Sequence, residues 1–136
     1  MKKGGARKKR IPYAVANLEE IKEDNYFYVD KTRFIEELEH YKIPVFLRPR
    51  RFGKTLWCSV LECYYDINKK KAFDTLFGDL YIGKNPTPLK NSFMVLRLNF
   101  STIEVKGDIN LIEEDFTNIF YSEIKTFLSY YKNYFK

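Results

Sequence analysis

The chain has 136 residues, 45% of them hydrophobic and 18% aromatic, which is enough for one folded domain with a substantial core. No apolar run reaches the ~18 residues that cross a membrane, and a single histidine, His40, nearly excludes histidine-based metal clusters and serine–histidine triads. The net charge of +6 comes from residues 1–10, because the remaining 18 Lys and Arg balance 18 Asp and Glu.

Residues 1–10, MKKGGARKKR, form a basic arm that we expect to be solvated and disordered. Such arms sometimes contact nucleic acid, which makes nucleic acid a candidate partner of residues 1–10. Cys58 and Cys63 fall within one expected helix and have no His or Cys partners at zinc spacing. They are therefore expected to be buried free thiols in a reducing, cytoplasmic location.

The first half of the chain contains two helical patterns on either side of one apolar segment. Residues 30–41, DKTRFIEELEHY, predict a helix with Asp30 or Thr32 as its N-cap. Residues 43–47, IPVFL, are continuously apolar, which is typical of a strand buried on both faces. Residues 54–67 are apolar all round and predict a well-buried helix.

The second half repeats this alternation of helix and strand. A shorter helix is predicted from residue 69 to Gly78, followed by an NPTP loop at 85–88. Residues 92–101, SFMVLRLNFS, predict a second buried strand, and the chain is expected to be helical from about Asn110 to its end.

Strands separated by helices predict an α/β fold, an incomplete P-loop NTPase-like parallel sheet flanked by helices. Two strands do not make a stable parallel sheet, and the last helix has a wide apolar face with nothing after it to cover it. Either the chain self-associates or it is the front part of a longer protein that supplies a C-terminal segment. The second interpretation is favoured.

Residues 46–56, FLRPRRFGKTL, carry the strongest functional motif. Gly53, Lys54 and Thr55 complete the pattern G-x-x-x-x-G-K-[ST], but Arg48 replaces its first glycine. In a strand–loop–helix context, unpaired amides at the start of the helix would bind phosphate, and Gly53 would let the backbone approach it. Lys54 would reach the β- and γ-phosphates, and the Thr55 hydroxyl would bind Mg²⁺. The alternative is a basic turn that contains GKT by chance.

Four segments in order, YFYVDKTRFIEEL, VFLRPRRFGKTL, LFGDLYI and MVLRLNFS, resemble the AAA-ATPase-like family. Its members are predicted bacterial P-loop ATPases that often carry a PD-(D/E)XK nuclease-like domain. The family's loop typically reads R-P-R-R-F-G-K-[ST], so Arg48 matches the family while departing from the general pattern. The resemblance therefore favours a nucleotide loop.

The resemblance implies a binding site for ATP and Mg²⁺, with the metal on Thr55. The nucleotide-binding residues would be Arg50, Arg51, Phe52, Gly53, Lys54, Thr55 and Leu56. It also marks Asp30 and Lys31, from the family's VDKT signature, and Asn99 and Ser101, at the end of its second strand, as accessory residues. For Asp30 and Lys31 a helix cap and a surface charge are the simpler interpretation, whereas for Asn99 and Ser101 a strand-end and turn role and a ligand role are equally open.

A Walker B element, an apolar run that ends in acidic residues, does not occur in this sequence. Residues 11–136 are therefore interpreted as the N-terminal part of an AAA-ATPase-like domain truncated before Walker B, able to bind nucleotide but poor at hydrolysis. A nucleic-acid-binding or interaction fragment that uses the basic arm and the arginine loop is a second hypothesis. A non-functional remnant is a third.

Overall fold

The computed structural model describes residues 9–101, 103 and 108–135. The chain consists of two compact units, one ending at Ser92 and the other beginning at Phe93. The first unit contains the α-helices α1 (Leu18–Glu23), α2 (Phe34–Leu38), α3 (Lys54–Tyr65), α4 (Phe73–Phe77) and α5 (Tyr81–Lys84). A 3-10 helix over Ile67–Ala72 joins α3 to α4.

The helix α3 organises the first unit, because α1 and α4 both pack against it. Its inner face buries Ser59, Val60, Cys63 and Tyr64, which recur at helical spacing. The Ser59 hydroxyl accepts a hydrogen bond from the backbone N–H of Leu18 (3.1 Å), which fixes the start of α1 on α3.

Aromatic rings fill the core between α3 and α4. The buried Tyr64 ring lies 5.7 Å from Phe77 in an edge-to-face arrangement and 6.0 Å from Phe73. Phe73 and Phe77 stack at 5.2 Å. Pairs of this kind add about 0.5–1.5 kcal/mol each beyond the area that they bury. The remaining buried residues of the cluster are Leu18, Ile35, Val60, Cys63, Leu76, Leu80 and Ile82.

The corner between α4 and α5 depends on a glycine. A Cβ atom added at Gly83 would lie 1.8 Å from the carbonyl oxygen of Phe77, so no other residue fits without moving the backbone. An ion pair between Lys22 of α1 and Asp79 of the same corner secures it from outside. The corner is therefore set by a close backbone approach.

The second unit consists of an extended segment followed by a long helix, α6 (Ile109–Tyr130), and a 3-10 turn over Lys132–Tyr134. The Asp108 carboxylate accepts from the backbone N–H of Asn110 (3.1 Å) and caps α6. The extended segment docks through Val95, whose N–H donates to the Tyr131 hydroxyl (2.9 Å), and through Phe100, which stacks on Phe116 at 5.0 Å. No residue of α6 itself is buried.

The prediction of an α/β fold with a parallel sheet flanked by helices is wrong. Within the described residues, the structure contains no named strand, and its β-structure is limited to isolated bridges such as the parallel bridge between Arg10 and Tyr26. Neither expected strand forms a named strand in the described residues, and the exposed fractions of Ile43 and Leu47 are 88% and 82%. An apolar run identifies a segment that can be buried, but a parallel strand also needs a paired neighbour and covered faces.

Several helix boundaries are confirmed: α3 begins at Lys54, α4 ends before Gly78, and α6 begins at Ile109. The expected capping of α2 is wrong, because its N-cap is Arg33, which makes no side-chain capping bond.

Of the two thiols, Cys63 is buried as expected, but Cys58 is exposed. Most of the basic arm lies outside the described residues. Among the helices that the structure describes, none is both long and apolar enough to cross a membrane.

Candidate functional site

The loop over residues 48–53 connects residues 43–47, which belong to no helix or strand, to α3, and all of the loop residues are exposed. Gly53 ends it in a left-handed conformation (φ 73°, ψ 23°) as the N-cap of α3. A Cβ atom there would meet nothing within 4 Å, so glycine serves the backbone angle rather than a tight contact. Arg51 is also left-handed (φ 65°), which costs an L-residue about 1–2 kcal/mol.

The Lys54 side chain turns back across the loop. Its ammonium group donates to the carbonyl oxygen of Arg48 (2.6 Å) and more weakly to that of Pro49 (3.3 Å). These bonds tie the start of the loop to the start of α3. An ammonium group has three donors, so one remains for a ligand.

The amide end of α3 is open. The first bond of the helix runs from the N–H of Trp57 to the carbonyl oxygen of Gly53 (2.9 Å). The amides of Gly53, Lys54, Thr55 and Leu56 find no acceptor among the described residues, as is usual for a first helical turn. The hydroxyl of the exposed Thr55 is likewise unpaired within the described part of the chain.

The remaining loop side chains differ in their surroundings. The Arg48 guanidinium lies 5.5 Å from the centre of the Phe46 ring, which holds it back along the chain. Arg50 and Phe52 are exposed, and Leu56 is half-buried at the first turn of α3. In the described residues no carboxylate forms an ion pair with a loop cation. The loop therefore carries uncompensated positive charge beside unpaired N–H groups, which is the chemistry of an anion site.

The accessory residues Asp30 and Lys31 lie at a different corner, next to Thr32. One Asp30 oxygen accepts from the Thr32 N–H (2.8 Å) and hydroxyl (2.7 Å), and the other accepts from the N–H of Tyr81 (2.7 Å). The buried Thr32 hydroxyl in turn accepts from the N–H of Ile82 (3.1 Å). Asp30 and Thr32 thus supply the capping bonds at the start of α5, while Lys31 is exposed.

This capping stabilises the charged form of Asp30. Partial burial works against the carboxylate, but the bonds from Thr32 and from the Tyr81 N–H outweigh it and lower the pKa of Asp30. No hydrogen bond or ion pair joins Asp30 or Lys31 to residues 48–56 in the described part of the chain.

A hydrogen-bonded network that the sequence did not indicate joins the end of α2 to the carbonyl end of α3, which is the end away from the loop. Glu39, the C-cap of α2, accepts from the hydroxyl of Tyr65, the last residue of α3 (3.0 Å), and from the Thr87 hydroxyl (2.8 Å). Burial, and then Glu39, raise the pKa of Tyr65, so the phenol stays a donor. Residues 40–53 therefore connect α2 and α3, two helices that the bond between Glu39 and Tyr65 holds together. No spacing signal in the sequence marks such a contact.

Asn99 and Ser101 belong to the second unit, where the Asn99 side chain accepts from the Ser101 N–H (3.1 Å) in a local turn. The first unit has a pocket of about 380 Å³ lined by Arg33 and Tyr81. A second pocket, of about 300 Å³, is lined by Lys22 and Asp79. Neither is lined by a loop residue. Among the described residues, no group of three or more His, Cys, Asp or Glu is placed to hold a metal ion.

Comparison with known proteins gives two matches. A family profile described as "Predicted AAA-ATPase", AAA-ATPase_like, matches residues 12–135. A curated protein of Azotobacter chroococcum mcd 1, named "Uncharacterized protein in vnfD 5'region", is 42% identical over 59 residues, which are 40% of this chain and 11% of that protein. The chain thus aligns with a small fraction of that relative's length. No solved structure matches the chain significantly.

Proposed function

The chain belongs to the AAA-ATPase-like family of predicted AAA-ATPases, and from that premise we propose that it binds the phosphates of ATP, together with Mg²⁺, through residues Arg50–Leu56. The observation that carries this proposal is the combination at the start of α3. Four amides without an acceptor in the described residues lie beside a lysine that is pinned across the loop.

An anion suits this arrangement for electrostatic reasons. The partial positive charge at the amide end of a helix attracts phosphate oxygens, and the unpaired N–H groups supply directed donors. The Lys54 ammonium, already held by Arg48, loses little freedom when its remaining proton meets an oxygen. A lysine anchored in this way contributes to affinity both by charge and by preorganisation.

Mg²⁺ would be bound through the hydroxyl of Thr55, next to Lys54 on the exposed first turn of α3. Mg²⁺ keeps several waters and binds to proteins through few direct ligands in addition to substrate phosphates. One hydroxyl and a triphosphate fit that habit. The proposal covers binding only, because the sequence supplies no Walker B carboxylate to hold the metal and position water.

Titration of the full chain with Mg·ATP tests this proposal. We expect Lys54→Ala to weaken binding by about tenfold to a hundredfold, since a charge-assisted hydrogen bond contributes about 1.5–3 kcal/mol. Lys70→Ala is the matched control, because Lys70 is an exposed lysine on the 3-10 helix and its removal changes the net charge equally. Equal affinity of the wild type and Lys54→Ala would reject the proposal.

A second titration addresses the metal. Thr55→Val keeps the shape of the side chain and removes its hydroxyl. The proposal expects Mg²⁺ to increase the affinity of the wild type for ATP, and to do so much less in Thr55→Val. An equal effect of Mg²⁺ on both proteins would remove Thr55 from the metal site and leave the phosphate proposal standing.

A further inference from the structure

The pocket of about 300 Å³ in the first unit lies where the basic arm meets the fold. Lys9, at the end of that arm, lines the pocket together with Lys22 and Asn25 of the α1 region. Its volume is at the lower end of the range for small-molecule sites, about 300–1,000 Å³, and leaves room for one planar ring system of nucleobase size. The phosphate loop contributes no residue to it.

Two tyrosines give this pocket aromatic walls. Tyr26 and Tyr28 follow α1 in the chain, and both are half-buried. The arm itself holds Tyr26, because Arg10 forms a backbone bridge with it and places its guanidinium group 4.9 Å from the centre of the Tyr26 ring. Tyrosine rings next to cations are the platforms on which proteins stack unpaired bases.

The carboxylates of the pocket suit the edge of a base. Asp79 is paired with Lys22, whereas Asp74 is exposed and forms no ion pair within the described residues. A carboxylate accepts hydrogen bonds from the amino group of a base, as in contacts of Asp or Glu with N4 of cytosine. Thymine and uracil have no exocyclic amino group, so they cannot make this contact.

Residues 1–10 supply positive charge for the phosphates of the same ligand. The cations there are Lys2, Lys3, Arg7, Lys8, Lys9 and Arg10, and no carboxylate accompanies them. Each cation that meets a phosphate releases counterions, so a strand with several phosphates gains more from the arm than a mononucleotide does. A duplex keeps its bases stacked and paired, which leaves a single strand as the ligand that fits both the arm and the pocket.

We infer that the pocket at the end of the basic arm binds one unpaired nucleobase of single-stranded nucleic acid. The base stacks on Tyr26, its amino group donates to Asp74, and the neighbouring phosphates bind the cations of the arm. Bases with an exocyclic amino group, such as cytosine, are therefore preferred to thymine and uracil. This site is separate from the proposed phosphate site at the start of α3.

Fluorescence anisotropy of the full chain with labelled oligo(dC) and oligo(dT) of equal length tests the base contact. The wild type should bind oligo(dC) about tenfold more tightly than oligo(dT). Asp74→Ala should remove that preference, while Glu23→Ala, which removes an exposed carboxylate outside the pocket, should keep it. Equal affinity of the wild type for the two strands, or an unchanged preference in Asp74→Ala, would overturn the inference.

Two tyrosine variants test the stacking contact. Tyr26→Leu should weaken the binding of both strands about tenfold, whereas Tyr26→Phe keeps the ring and should bind like the wild type. Thermal melting checks that both variants are folded, and wild-type affinity in the folded Tyr26→Leu would contradict the inference.

Two further ligands test the choice of a single strand. Cytidine monophosphate should displace oligo(dC) only at much higher concentration than an unlabelled strand does, and a duplex of the same length should bind more weakly than oligo(dC). Displacement by the mononucleotide at the concentration of the strand would make this a site for free nucleotides. Tighter binding of the duplex would make the contact one with the arm alone. Either result would overturn the inference.

Discussion

The two ends of α3 are treated in opposite ways by the rest of the protein. At the carbonyl end, the Asn91 side chain donates to the carbonyl oxygen of Asp66 (2.8 Å), and its backbone N–H donates to that of Tyr64 (2.9 Å). At the amide end, the first turn has no acceptor in the described residues, and the loop before it is exposed.

This difference assigns stability and the proposed phosphate binding to opposite ends of one helix. At the buried end, Asn91 supplies donors to the carbonyl groups of Asp66 and Tyr64, and this end belongs to the aromatic core around Tyr64. The amide end retains donors and positive charge that contribute nothing to the packing of that core. Changes at the carbonyl end should therefore affect folding, and changes at the amide end should affect phosphate binding.

The largest expected difference is in the rates at which the two cysteines of α3 react with an alkylating reagent. Cys58 is exposed near the amide end, while Cys63 lies in the core, where burial raises the pKa of its thiol to about 12. Because the thiolate is the reactive form, iodoacetamide near neutral pH should modify Cys63 at least about a hundredfold more slowly than Cys58. Mass spectrometry of the alkylated peptides measures both rates. Similar rates in the folded protein would contradict the buried carbonyl end, and denaturant should equalise them.

Asn91 provides the next largest effect. It is 7% exposed and left-handed (φ 48°), so Asn91→Ala loses the bond to Asp66 and strains the backbone. We expect a loss of about 2 kcal/mol in the free energy of unfolding, with unchanged affinity for Mg·ATP. Asn91→Gly also loses the bond, but glycine adopts the left-handed conformation without strain. The free energy of unfolding should therefore fall by only about 1 kcal/mol. Denaturant titration measures the free energy of unfolding of both variants. A loss of affinity for Mg·ATP in the folded Asn91→Ala would contradict the separate roles of the two ends.

The sequence predicted helix boundaries better than it predicted which segments pack or pair with one another. The start of α3 and the end of α4 follow from local signals, the first residue after Gly53 and the stop at Gly78. The prediction of a sheet was wrong because the runs at 43–47 and 92–101 are as apolar as buried strands, but their composition says nothing about pairing. Strand pairing depends on contacts distant in sequence, which local patterns do not contain.

The candidate site shows the same limit. Gly53, Lys54 and Thr55 were identified from their spacing, and the structure places them together at the amide end of α3. The bond from Lys54 to Arg48 and the left-handed angle at Arg51 are properties of the folded loop. The capping of α5 by Asp30 joins positions 51 residues apart, and no motif at either position indicates it.

The smallest predicted effect is the pH dependence of stability that Asp30, outside the loop, contributes. Because the folded pKa of Asp30 is below the unfolded value of about 3.9, its contribution to stability is present above that pH and is lost as the pH falls through the folded pKa. Asp30→Asn should therefore lose less melting temperature than the wild type on acidification from about pH 5 to about pH 2.5. Asp24→Asn, at an exposed carboxylate, is the control. Parallel curves for the wild type and Asp30→Asn would contradict this role for Asp30.

The most direct test of the open amide end follows the amides themselves. Backbone ¹H–¹⁵N NMR spectra of the full chain, recorded as Mg·ATP is added, report each N–H group separately. Phosphate binding predicts large shifts and slower hydrogen exchange at Gly53, Lys54, Thr55 and Leu56, with little change at Tyr64, Tyr65 and Asn91. Saturable binding that left the signals of these four amides unchanged would contradict the account, because the ligand would then be bound elsewhere.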